Sequence, residues 1–398
     1  MPSMSLLILE LLFWALLAAI VYTYAGYPIV IWCLARLFGR RQAPSPLDDH
    51  DLPSVSLLIS AYNEEAGIEE RLQNALALDY PKDRLEIVIA SDGSTDRTAA
   101  IVRQYEDRGV RLLNYPVRRG KATVLNESMK HVKGEIVILS DANTATNPDA
   151  ARNLVRWFRD DCIGAVCGRL ILIDSQTGNN VDSLYWKYET FLKRCEGRLG
   201  ALLGANGAIY AIPRQHYVPI PDGTIIDDFV IPLLARVKTG RMVVYDDQAT
   251  ATEETAPNVG SEFRRRARIG AGGFQSLMLL WPLLLPWRGW SAFVFVSHKI
   301  CRWLCPFFLI GLLAVNGVLA HRAHFRWWLV AQLGFYTLAV AANWLPPGPR
   351  WLKPLRLSTM FVAMNVAVLV GFWRWLRGTQ KGAWQRTPRV GEARAEVS

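Results

Sequence analysis

Apolar and polar positions follow two regimes along the chain. Between residues 52 and 143, short apolar runs alternate with stretches of helical period. "VSLLIS" (55–60), "EIVIAS" (86–91), "VRLLNY" (110–115) and "EIVILS" (135–140) read as strands. "AYNEEAGIEERLQNAL" and "DGSTDRTAAIVRQYED" carry amphipathic-helix spacing, the second opened by the turn and capping residues Asp92, Ser94 and Thr95. A third helix is predicted over about 121–131. Near-continuous apolar strands separated by helices predict a parallel sheet covered on both faces.

Beyond this zone the runs lengthen. Residues 6–35 hold one charge, Glu10, over a length that spans a bilayer. With no basic region before them and no small-residue cleavage site after, they read as a retained anchor rather than a signal peptide. Residues 300–320, 325–345 and 358–376 read as further spans. Pro282, Pro286 and Arg288 interrupt 276–297, which reads as an interfacial or re-entrant helix. The predicted order is an anchor (1–40), a globular domain (50–275), an interfacial helix with a transmembrane bundle (276–378) and a basic tail (379–398).

Composition fits that order: of 398 residues 51% are hydrophobic, and 15 are Trp. The net charge of +10 does not call for nucleic acid. Arg36, Arg40, Arg41, Arg350, Lys353, Arg356, Arg374, Arg377 and Lys381 flank the apolar spans, as the positive-inside tendency requires. Arg40 and Arg41 place the globular domain in the cytoplasm, in a multi-pass protein of the inner (plasma) membrane. Three later spans would leave the tail outside, whereas a crossing through 276–297 would bring it in; its charges favour an even number. The 6 cysteines have no zinc-site spacing and read as small buried hydrophobes in a reducing compartment. The histidines show no ligand spacing either.

Ligands of open parallel sheets bind at the carboxyl ends of the strands. Polar clusters sit there: Tyr62-Asn63-Glu64 after the first strand, Asp92-Gly93-Ser94 after the second and Asp141-Ala142-Asn143 after the fourth. One such cluster is ordinary turn chemistry, but three on one edge indicate a nucleotide-type ligand. "LLGANGAIYAIPR" (202–214) offers the small residues Gly204, Ala205 and Gly207 ahead of a strand, either a tight turn or room for an acceptor.

The stretches "SAYNEE" (60–65), "SDGSTD" (91–96), "RRGKATVLN" (118–126), "SDANT" (140–144), "TIIDDF" (224–229) and "EFRRRARIGAGGF" (262–274), in this order, resemble the family 2 glycosyltransferases. These are membrane-bound inverting enzymes, and the apolar zones resemble their polysaccharide-synthase branch. The resemblance implies an α/β fold, a GT-A-type mostly parallel sheet domain flanked by transmembrane helices. It implies that Tyr62, Glu64 and Asp92 hold the uridine of a nucleotide sugar, with Lys121 nearby. Asp141 and Asn143 stand at the family's Asp-x-Asp, which holds a divalent metal (Mg or Mn) against the diphosphate. Asn143 departs from that pattern, since an amide oxygen coordinates without adding charge.

Asp228 matches the general base. Asp227 would raise its proton affinity by like-charge repulsion, and Ile225, Ile226 and Phe229 would add desolvation. The same Asp-Asp pair also suits the start of a helix. Arg268 matches the arginine of Gln-x-x-Arg-Trp, which steadies the departing diphosphate; Arg265 and Ile269 replace the glutamine and the tryptophan. Without that acceptor-stacking ring, processive polymerisation and single addition both stay open. Arg264, Arg265, Arg266 and Arg268 also suit a basic helix resting on anionic lipid.

The expected activity is hexosyl transfer from a UDP-sugar of the glucose or N-acetylglucosamine type. The acceptor would be a glycan or a lipid-linked sugar at the membrane, within exopolysaccharide or cell-envelope polysaccharide synthesis and alongside its synthesis or export partners. Non-processive transfer to a polyprenyl or other lipid carrier is the alternative. A sugar nucleotidyltransferase would want a glycine-rich basic loop after the first strand, where "SAYNEEAG" is acidic. An inactive transport or assembly scaffold would not need Asp141, Asp228 and Arg268.

Overall fold

A computed structural model describes residues 4–39, 42–173, 184–254, 259–342, 353–380 and 382. The chain divides into two units: residues 31–258, 275–294 and 381–398 form one, and residues 1–30, 259–274 and 295–380 the other.

The first unit is built on one 8-stranded sheet. Its strands are β1 (Val55–Ala61), β2 (Leu85–Asp92), β3 (Val110–Tyr115), β4 (Ile136–Asp141), β5 (Thr144–Thr146), β6 (Ile163–Ile173), β7 (Tyr210–Pro213) and β8 (Met242–Glu254). They lie in the order β3-β2-β1-β4-β7-β6-β8-β5. The β1–β2, β1–β4, β2–β3 and β6–β8 pairs are parallel. The β4–β7, β6–β7 and β5–β8 pairs are antiparallel. The sheet is therefore mixed with a parallel core, as the strand–helix alternation predicts for its first half.

Every residue of β1 is buried, the mark of a central strand covered on both faces. Ile68, Leu72 and Ala75 of the helix Ile68–Leu76 join Leu57 and Ile59 of β1 in the main core cluster. The helix Lys121–Ser128, shorter than expected, packs on β1 and β2 through its buried Val124 and Leu125. Burying each such aliphatic side chain contributes about 1.5–3 kcal/mol. A buried ion pair fixes the far side of the sheet. Asp246 Oδ2 accepts from Arg156 Nη2 (2.7 Å) and from the Trp157 indole (2.7 Å), and Oδ1 accepts from the Gln248 amide (2.9 Å).

In the second unit, Phe13 of the helix Met4–Val21 packs among Leu312, Val315, Leu319 and Phe325. Glu10, the one charge of the first apolar run, pairs with Arg322, so the acid is not left alone among apolar neighbours. Tyr22 donates to Ser297 Oγ at 2.8 Å. Among the described residues, three helical stretches are long and apolar enough to cross a bilayer: Met4–Leu37, Trp290–Leu319 and Leu357–Leu376. The helix Ala323–Ala341 covers most of the predicted 325–345 span, but His324, Arg326 and Gln332 dilute its apolar character and it is not one of the three.

The 276–297 stretch differs from the single interfacial or re-entrant helix expected of it. The helix Val259–Leu280 ends there, and the 3-10 turns Trp281–Leu284 and Pro286–Arg288 follow before helix resumes at Trp290. Pro282 and Pro286 lack the N–H that a continuing helix would need. Arg40, Arg41, Arg350, Lys381 and the tail past residue 382 lie outside the described residues.

Replacing Asp246 with Ala leaves the Arg156 guanidinium buried without its carboxylate. The expected loss is about 3–5 kcal/mol, read as a lowered thermal unfolding midpoint of the purified full chain.

Candidate active site

The parallel strands β1, β2 and β4 end on the same edge, with Ser60 aligned with Asp141 and Ala61 with Ser91. β2 ends at Asp92, opposite Tyr115 of β3. Gly93 then turns the chain at φ 65°, where a Cβ would stand 2.4 Å from the Arg118 backbone nitrogen. Glycine thus lets the tip of β2 close onto the segment Arg118-Arg119-Gly120-Lys121.

That segment organises the whole edge. Asp92, 1% exposed, accepts the backbone N–H of Arg119 at 2.7 Å and of Gly120 at 2.9 Å. A carboxylate has about four acceptor positions, so two remain for a ligand. The Arg118 guanidinium lies 3.8 Å from the centre of the Tyr62 ring, within cation–π range. Glu64 is buried, and its backbone N–H donates to Thr98 Oγ1 at 2.8 Å. Asn63, at φ 53°, accepts the Thr95 amide through Oδ1 at 2.8 Å, which joins the tips of β1 and β2.

Lys121 opens the helix at the end of the segment. Its ammonium reaches Asp141 Oδ1 at 2.6 Å and Asp227 Oδ2 at 3.0 Å, with the lysine side chain only 15% exposed. Burial pulls the lysine down in pKa, but the fields of Asp141, Asp227 and Asp228 outweigh it and push Lys121 well above its usual value. It is therefore charged at every physiological pH. Burial, and then the same three carboxylates with Tyr217, raise the Tyr210 hydroxyl likewise.

Asp227 and Asp228 start the helix Asp227–Thr239. Ile225, Ile226 and Phe229 are buried as expected, yet of the two acids beside them it is Asp227 that is buried (8% exposed), while Asp228 is half-buried. Asp228 Oδ1 accepts its neighbour's N–H, from Phe229, at 3.0 Å, the usual use of an acid at a helix start. The Gly204-to-Gly207 loop lies against Asp228 and Asp141. The Ala205 N–H donates to the Asp228 carbonyl at 2.9 Å, and a Cβ on Gly207 would come within 2.3 Å of Asp141 Oδ2.

Two contributors were not foreseen from sequence. Arg71, 3% exposed, donates to Ser140 Oγ (2.9 Å), Asn74 Oδ1 (2.8 Å) and the Asp141 carbonyl (3.3 Å). Burial draws its pKa down to about 10, against the pull of Asp141. It occupies the apolar face of its helix, at i+3 from Ile68, where an aliphatic residue is expected, and that misfit is the signal. The second is Glu253 of β8, whose Oε1 accepts from Asn143 Nδ2 at 2.9 Å. Asp141, the Asn143 amide oxygen and Glu253 are hard oxygen donors of the type a divalent cation takes, and Asp141 Oδ1 is engaged here by the Lys121 ammonium at 2.6 Å. Nothing in the Asn143 sequence context points 110 residues ahead.

The site residues expected from sequence thus belong to two units. Tyr62, Asp92, Lys121, Asp141 and Asp227 are joined through the 118–121 segment. Arg268 lies on the helix Val259–Leu280, within the other unit.

Residues 56–210 match the family model of glycosyl transferase family 2. The chain carries a family 2 glycosyltransferase domain. Poly-beta-1,6-N-acetyl-D-glucosamine synthase of Staphylococcus epidermidis is 25% identical to it over 251 residues, 60% of this chain and 59% of that protein. The synthase of Staphylococcus aureus is 27% identical over 241 residues, 57% of this chain and 56% of that protein. The chain thus spans under two thirds of the length of the curated relatives it matches. A mannosyltransferase of Pyrobaculum calidifontis, PcManGT, solved with GDP-Man and Mn2+, superposes with a TM-score of 0.68 at 23% identity, over 92% of this chain and 99% of that one. This last likeness concerns the fold, which is GT-A.

In the glycosyltransferase domain, Lys121→Met would leave Asp141 and Asp227 facing each other without a cation. The expected cost is about 2–3 kcal/mol, below the full penalty for a buried pair because Asp141 is partly open to water. The lysine's pKa is raised, so its stabilisation is complete below its ordinary value and fades only as pH climbs through the raised one. The stability gap between wild type and Lys121→Met should therefore stay flat from about pH 6 to 9. Thermal melts across that range check it.

Proposed function

We propose that the protein transfers a hexosyl unit, with inversion, from a UDP-sugar of the glucose or N-acetylglucosamine type to a glycan or lipid-linked acceptor at the inner membrane. The reading places residues 50–275 in the cytoplasm between an anchor (1–40) and a transmembrane bundle (276–378), with a basic tail from 379, in polysaccharide synthesis. One observation carries it: a buried lysine held between two acids, Asp141 and Asp227, joined through three residues of backbone to a carboxylate, Asp92, that retains acceptor capacity.

Asp92 is poised to accept the imide N–H of a uracil, since two backbone amides fix its plane and leave lone pairs over. Tyr62 offers a ring for the base, and Arg118 beside it offers a cation for phosphate oxygens. Lys121 offsets the diphosphate charge, which grows as the bond to the anomeric carbon breaks. A divalent cation, held by Asp141 and Asn143 with Glu253 beside them, would add further charge stabilisation to the leaving diphosphate. Asp228 takes the proton of the acceptor hydroxyl as its oxygen attacks the anomeric carbon from the face opposite the diphosphate. Asp227 is committed to Lys121, which leaves Asp228, with its more exposed carboxyl, to the acceptor. Arg268 is assigned to the departing diphosphate by its place in the family motif. The apolar helices keep the domain beside a lipid-linked acceptor, whether one sugar is added or many.

The donor is tested by nucleotide release from membranes holding the full chain, supplied with a panel of UDP-sugars and with GDP-mannose. Release is expected from UDP-glucose or UDP-N-acetylglucosamine; release from GDP-mannose alone would overturn the uridine assignment. Asp228→Asn should lower turnover about 10²–10⁴-fold with donor binding kept, and wild-type turnover in that variant would remove the base assignment. A chelator should abolish release and added Mg2+ or Mn2+ restore it; full activity in chelator would exclude the cation.

A further inference from the structure

Behind the Lys121 ammonium lies a small cavity of about 10 Å³, its wall formed by Ser60, Lys121, Tyr210 and Asp227 with Leu58 and Leu125. A space of roughly 10–15 Å³ by this measure admits one water molecule. Three polar atoms face it: Ser60 Oγ and Tyr210 Oη, which have no hydrogen-bond partner among the described residues, and Asp227 Oδ2. Their residues are 2%, 1% and 8% exposed. Asp227 Oδ2 already pairs with the Lys121 ammonium, at 3.0 Å, and a carboxylate oxygen has room for a second donor.

Buried polar atoms are nearly always paired, because an orphan keeps its full desolvation penalty. Two orphan hydroxyls and a carboxylate oxygen with spare capacity around one water-sized space are therefore a binding site rather than scattered defects. Their chemistry is complementary. The Tyr210 hydroxyl, kept protonated by its burial and the surrounding acids, donates. The Asp227 oxygen accepts, and the Ser60 hydroxyl does either. A water molecule, with two donors and two acceptor positions, matches all three.

The placement of Ser60 is itself informative. Along β1 it shares a face with Leu58, and an aliphatic residue there would close the space. Tyr210, paired across the sheet with Leu139, likewise brings a hydroxyl where phenylalanine would fit.

We propose that this cavity holds one ordered water molecule bridging Ser60, Tyr210 and Asp227. Ser60 and Tyr210 act through it as positioning residues: the water fixes the plane of the Asp227 carboxylate, and that carboxylate holds the Lys121 ammonium in register with Asp141. The water site stands on the cavity alone; its effect on turnover rests on the glycosyl-transfer reading above.

Two experiments test it on the full chain. A crystal structure at about 1.8 Å should show density for a water within hydrogen-bond reach of all three atoms; a cavity without such density sinks the proposal, whatever the enzyme does. In kinetics, Ser60→Val fills the space with methyl groups, whereas Ser60→Ala leaves room for a second water. Ser60→Val and Tyr210→Phe should each lower kcat about tenfold or more with the donor KM unchanged, and Ser60→Ala should lose clearly less than Ser60→Val. Thermal melts separate these effects from misfolding. Equal losses in Ser60→Ala and Ser60→Val, or a loss confined to Tyr210→Phe, would mean that a direct contact and not the water does the positioning. If wild type released no nucleotide from any donor, the transfer reading would fall while the density still decided the water.

Discussion

The candidate site depends on one buried cation between two acids. Asp141 arrives on the tip of β4 and Asp227 at the start of a helix 86 residues later, and like charges brought so near each other repel. The Lys121 ammonium turns that repulsion into cohesion. Because Lys121 also begins its helix directly after Gly120, its position fixes the loop whose amides grip Asp92 and whose arginine covers Tyr62. The tips of β1, β2 and β4 and the start of the helix Asp227–Thr239 are thereby referred to a single side chain.

The parallel half of the sheet was legible because each strand there is a continuous apolar run ending in a polar cluster. The other half was harder to read. β7 is only Tyr210–Pro213 and pairs antiparallel with both neighbours, and β6 shifts register twice against β8, so neither leaves a clean period. The acids at the strand tips could be named from their stretches, but not their environments. Which of two adjacent aspartates is buried depends on how the helix Asp227–Thr239 packs, including the close approach of Gly204 to Phe229, and the "TIIDDF" pattern does not show this. Arg71 reads locally as a helix residue and Glu253 as a strand residue; only tertiary pairing gives them a place.

Fold and chemistry are separate conclusions in this protein. One fold hosts many functions: the relatives it matches are poly-beta-1,6-N-acetyl-D-glucosamine synthases, while a structural neighbour was solved with GDP-Man. The chemistry rests on particular side chains: the Asn143 amide, a glutamate brought beside it from β8, and two hydroxyls that line one cavity with Asp227. In the apolar unit, the Glu10–Arg322 pair similarly marks where helices far apart in sequence meet.

The grip on Asp92 also bears on how the rim moves. Lifting the 118–121 loop would strip two amides from a buried carboxylate, part the guanidinium from its aromatic partner and expose two more acids, all in one event. Such a loop has no low-energy way to fray residue by residue. The backbone protons of Arg119 and Gly120 therefore belong, in their exchange with solvent, with those of the central strands and not with surface turns.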